Sequence, residues 1–217
     1  MNTLDSRFCR DGDSFGQKFS QPGKYIYDFN LPGLDQLNKE GARFSINVSG
    51  ADKDKKESKQ HFVTVRYREK HFEADPPQLE IAAGDFVMWS SDDAGTPGFS
   101  ISGHSDKNRF SSAAMEQEAV YTHAFGLPGE IEWGDANGKG ASGKVIVRMP
   151  PTKSEKEMDA FKEVLKKGTV VVIGADKASP AQVEIYVGQT VFFAVEKAAG
   201  ITITDRRLNV DISDPAK

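Results

Sequence analysis

The chain alternates short apolar runs with turn residues at intervals that suit strands rather than helices. Residues 63–67 alternate apolar and polar side chains, 78–81 lead into a turn at Gly84, and 85–90 form a compact apolar run. Residues 99–102 alternate again, 119–125 precede the turn Leu127-Pro128-Gly129, 130–133 follow it, and 144–148 close the series. Runs of this length, separated by Gly or Pro, predict an all-β sandwich or barrel. One segment breaks the pattern. Ser154 and Glu157 have the spacing of a capping box, Met158, Phe161 and Leu165 share one helical face, and Gly168 stands where a helix stops. This predicts a connector helix that docks a narrow apolar stripe on a sheet, with Lys166 and Lys167 at the negative end of its dipole. A second, short helical turn is predicted over residues 34–39.

The strand pattern also repeats. The motif P-x-Q-x-E-I-x-x-G spans 76–84 and again 180–188, a shift of 104, and F-x-x-P-G spans 125–129 and 19–23, a shift of −106. An Arg-Phe pair precedes the second motif each time, at Arg109-Phe110 and Arg7-Phe8. Matched landmarks in consistent order are the mark of an internal repeat. Residues 170–193 echo 63–89, and 7–27 echo 109–133, so the two ends, taken C-terminus first, make a second copy of the pattern in 63–147. The expected organisation is therefore a continuous body over 60–150, a split body made of 1–50 and 168–217, and a helical connector over 151–167. Each half of the split body, at ~50 residues, is too small to bury a stable core alone. Pairing of the halves between molecules is the rival arrangement, and it would give rings or filaments.

The segments Gly84-Asp85-Phe86-Val87-Met88-Trp89, Arg109-Phe110-Ser111-Ser112, Phe125 with Pro128-Gly129, and Gly143-Lys144-Val145-Ile146-Val147 resemble the cupredoxins, the blue-copper β-sandwiches related to plastocyanin. Pro22-Gly23-Lys24-Tyr25-Ile26-Tyr27 is similar to the same family's turn and strand. The resemblance implies two Greek-key β-sandwiches and an extracytoplasmic setting. It also implies where copper ligands would stand: one His near Pro97-Gly98-Phe99 and a Cys at Asp135 in one copy, and near Gly200-Ile201 and at Phe29 in the other. None of these positions holds His, Cys or Met, and neither do the loops 134–142 and 28–41. Imidazole, thiolate and thioether are the donors that suit copper. No metal or other cofactor is therefore expected in either copy.

Composition narrows the remaining classes. A formal charge of −4 over 217 residues provides no field to capture nucleic acid or anionic lipid, and the acidic residues Glu69 and Glu73 weaken any RNA-binding reading of 66–72. No stretch approaches the ~18 apolar residues of a membrane span, residues 1–12 lack the apolar run of a signal peptide, and 52–59 read as a charged, solvated linker. Cys9 has no second cysteine to pair with. His61, His71, His104 and His123 have no linking motif spacing, although His71 and His104 could meet across a loop end to form a relocated metal site. Asp92, Asp93 and Asp106 are loop carboxylates with the chemistry of a cation site. Ser102-Gly103-His104 and Ser142-Gly143 lack the strand–elbow–helix setting of a nucleophile. Tyr25, Tyr27, Phe29, Trp89 and Trp133 are placed as core residues of strands. No catalytic, cofactor or metal residues are assigned. The expected function is a non-enzymatic structural or interaction protein, an accessory or scaffolding subunit with protein partners or self-association. Electron transfer at a relocated site, and glycan or peptide binding at the loops 92–97 and 134–143, are the alternatives.

Overall fold

In a computed structural model, the described residues are 3–31, 44–50, 57–138 and 140–208. The helical turn expected at 34–39 lies outside them, as does most of the charged linker. Among the described residues there are seventeen strands and one α-helix, and the fold is all-β apart from that helix and a 3-10 turn at Arg206–Leu208. The strands expected from alternation form within a few residues of their predicted limits.

Nine strands form a first group: β1 (Asp13–Phe19), β2 (Gly23–Asn30), β3 (Phe44–Ser49), β4 (Gln60–Arg68), β5 (His71–Asp75), β6 (Gln78–Ala82), β7 (Asp85–Ser90), β8 (Ser100–His104) and β9 (Arg109–Ser111). Eight form a second: β10 (Ala119–Ala124), β11 (Gly129–Asp135), β12 (Ser142–Arg148), β13 (Thr169–Ile173), β14 (Ala178–Ser179), β15 (Gln182–Tyr186), β16 (Thr190–Val195) and β17 (Ile203–Asp205). Their pairings match. β2 runs antiparallel to β3, β3 parallel to β6, and β4 parallel to β7 and antiparallel to β5. In the second group β11 and β12, β12 and β15, β13 and β16, and β13 and β14 repeat the same four relations.

This pairing corrects the expected division of the chain. Among the described residues no strand of 1–50 pairs with a strand of 168–217: β2 and β3 pair with β6 and β8, β1 pairs with β7 and β10, and β10–β12 pair with β16, β17 and β15 rather than closing a body over 60–150. The shifts of 104 and 106 hold, so the period was right and the phase was wrong. Every window one period long contains each strand once, and alternation alone does not say which neighbour a strand joins. The Arg-Phe match also dissolves: Arg109-Phe110 lies in β9. Cys9 is instead equivalent to Met115, since Cys9 bridges to Phe99 and Met115 bridges to Ile201. Among the described residues the chain ends do meet, through a short contact in which Asp5 bridges Thr204, Leu4 O accepts from the Asp205 amide, and Ser6 and Ile203 exchange two hydrogen bonds.

The two groups share one sheet. Its eight strands run β14-β13-β16-β10-β1-β7-β4-β5, an order that reads the same in both groups outward from the β10–β1 seam. The sheets β6-β3-β2-β8-β9 and β15-β12-β11-β17 cover its inner face. Alternation sends Phe15, Phe19, Val87 and Trp89 inward in the first group and Tyr121, Phe125, Val191 and Phe193 inward in the second. Across the layers Tyr27 meets Trp89 edge-on at 5.4 Å, and Trp133 meets Phe193 at 5.0 Å. Gly84 and Gly188, each with φ +93, make the equivalent turns into β7 and β16, a conformation that favours glycine.

The connector helix α1 (Glu155–Leu165) forms with both halves of the Ser154–Glu157 capping box. It docks less than its stripe predicts. Phe161 meets Tyr186 edge-on at 5.9 Å, and the Gln189 amide donates to the carbonyls of Val164 and Lys167 at 3.4 Å. Met158 and Leu165 remain exposed.

Candidate functional site

Two regions stand out: the seam between the groups and the outer face of the eight-stranded sheet. At the seam β1 and β10 run antiparallel, and Phe15 lies opposite Tyr121, its own equivalent 106 residues on. An approximate two-fold axis thus passes through this pair, normal to the sheet, and it relates Asp13↔His123 on one side to Ala119↔Gln17 on the other. The two sides are chemically different. Asp13 Oδ1 sits 2.5 Å from His123 Nδ1 and accepts from the Tyr121 hydroxyl at 3.0 Å, and its Oδ2 accepts from the Arg10 amide at 2.9 Å. On the other side the Gln17 amide donates to the carbonyls of Lys18 and Gln117. His123 Nε2 and Gln17 Oε1 are buried with no hydrogen-bond partner among the described residues.

The seam is closed. Asp13, Tyr121 and His123 are all buried, and Phe125 packs edge-on against the His123 ring at 4.6 Å. Burial, and after it the charge of Asp13, pushes the Tyr121 hydroxyl well above its ordinary value. The same two causes act in that order on Cys9, which is also buried, so its thiol is held protonated. This is a polar lock between strands, in which the Tyr121 hydroxyl, like the nearby Cys9 thiol, is kept in its protonated form.

The other candidate residues do not converge. His61 Nε2 lies 3.1 Å from Asp85, His71 Nε2 lies 3.5 Å from Glu73, and His104 is exposed at the end of β8. His71 on β5 and His104 on β8 belong to different sheets. Asp92 pairs with Arg66, and Asp93 accepts from the Gly95 amide within its own turn. Among the described residues no three His, Cys, Asp or Glu side chains are grouped to hold a metal ion. The positions of the copper ligands pair differently from the expected bodies. Phe29 meets Phe99 edge-on at 5.6 Å with Phe72 beside them, and Asp135 accepts from the amide of Thr202, the neighbour of Ile201. An aromatic cluster and a buried carboxylate occupy these places. Hollows of about 370 and 570 Å³ flank Lys107 and Asn108, but the polar groups between them satisfy one another, Asn108 donating to the Tyr25 hydroxyl and that hydroxyl to the Gln21 carbonyl.

The outer face is the feature that sequence reasoning missed. Register aligns Phe62, Met88, Gly16, Val120, Ala194 and Val172 in one row across six strands. On this face the exposed Phe62 lies opposite Met88, and the exposed Val170 lies opposite Phe192. Phe62 is 61% and Val170 51% exposed. The two pairs occupy equivalent positions, so each group presents one. Charges sit toward the margins, and some of them are compensated: Lys18 with Glu118, and Arg66 with Asp75 and Asp92. The signal was present as apolar residues on the second face of otherwise alternating strands, but only the register aligns them. No helix among the described residues is long and apolar enough to cross a membrane. Comparison of the chain with protein-family models, curated proteins and solved structures found no match.

Proposed function

We propose that the protein is a non-enzymatic structural or interaction protein, an accessory or scaffolding subunit that joins a larger assembly through the outer face of its eight-stranded sheet. The observation that carries this reading is the repeated apolar pair, Phe62–Met88 and Val170–Phe192, on a face that neither smaller sheet covers. Contiguous exposed apolar surface framed by polar residues marks interaction sites. The seam supports the same reading, because a sheet shared by two groups makes a broad, rigid platform. The resemblance to Greek-key cupredoxins favours an extracytoplasmic compartment for this reading, in which copper has no part.

In native extracts the protein should migrate in a complex well above its own 23.8 kDa, and the double variant Phe62→Lys/Val170→Lys should migrate at its own mass. Wild-type protein running at its own mass overturns the reading, as does stoichiometric copper with a visible absorption band in the purified protein.

A further inference from the structure

We infer that the partner seated on the outer face is a second copy of this chain, giving a face-to-face dimer; this rests on the reading of that face as an interaction surface. The first argument is spacing. The two apolar pairs are related by the approximate two-fold axis at Phe15 and Tyr121, and strands ~4.8 Å apart place β4 and β13 about 24 Å from each other. A partner that engages both pairs must present two apolar patches at that same separation. A second copy does so by construction, and a two-fold operation between copies uses the same patch on each.

The second argument is charge. Lys18 is paired with Glu118 on this chain, and Arg66 with Asp75 and Asp92. With these ions paired internally, the centre of the face offers little charge to select an oppositely charged partner. Its uncharged centre and ionic margin match the layout of a protein interface.

The third argument is size. Eight strands of two to nine residues, about six on average, make a flat footprint on the order of 600 Å². This is somewhat below the ~800 Å² per partner of a standard stable complex, which suits a dimer that dissociates on dilution. Stacked sheets interdigitate at a separation of ~10 Å, so Phe62 and Val170, which project furthest into solvent, would fill the layer between the copies.

Sedimentation equilibrium of the purified full chain tests the inference. The expected result is a concentration-dependent dimer that Phe62→Lys or Val170→Lys each weakens at least tenfold, with circular dichroism unchanged. Because Cys9 is buried, Phe62→Cys and Val170→Cys each add the only accessible thiol. Under mild oxidation these proteins, alone or mixed, should form disulfide-linked dimers. A dimer insensitive to all four substitutions overturns the inference, because it uses another surface. A monomer whose face binds an apolar dye also overturns it, while leaving the face open to a different protein. A monomer that binds no dye overturns both this inference and the interaction reading.

Discussion

At the scale of single residues, three buried polar side chains hold one side of the seam. Asp13, His123 and Tyr121 are drawn together by the register of β1 and β10, from positions 108 and 110 residues apart. Removing the carboxylate strands two buried donors, and each buried donor left unsatisfied costs about 1–3 kcal/mol. Asp13→Ala should therefore lower stability by about 3 kcal/mol. His123→Gln should cost less, roughly 1–2 kcal/mol, because it installs the residue found at the equivalent position 17 and keeps a donor within reach of Asp13. Urea denaturation checks both, as a shift in midpoint without a change in slope. Equal losses in the two variants would show that the His123–Asp13 contact, and not the acceptor role of Asp13, holds the seam. None of this was legible beforehand, because Asp13 and His123 belong to no local motif and their pairing depends on the alignment of distant strands.

At the scale of elements, local rules were sufficient where the forces are local. The helix α1 has an N-terminus defined by Ser154 and Glu157, and both reciprocal hydrogen bonds form. Its docking was over-read, because an apolar stripe states what a helix can bury and not how close a neighbour stands. Ser154→Ala should cost about 1 kcal/mol of local helix stability. Hydrogen exchange over residues 155–160 should quicken while the global unfolding midpoint barely moves, since the helix buries no residue fully. A large loss of global stability would mean that α1 is an integral part of the core. The strands were legible from alternation for the same reason, since the period of two directly reports which side chains face inward. The edge element β9, with three residues, was too short to carry a period.

At the scale of the whole molecule, the shared sheet couples the two groups. The β1–β10 ladder, the Asp13 lock and the bridge of Asp5 to Thr204 all cross between them. Thermal unfolding should accordingly be one transition, with calorimetric and van't Hoff enthalpies in agreement. Two resolved transitions would show that the seam is weaker than the cores it joins. By itself the sequence determined the all-β class, the strand positions, the capped helix and the repeat period, because turn residues, alternation and capping chemistry act over a few neighbours. Only the tertiary structure decided the phase of the repeat, the burial of Cys9, the polar lock and the apolar outer face. Each of these depends on which strand lies beside which, and that choice is set by the joint burial of faces contributed from opposite ends of a repeat.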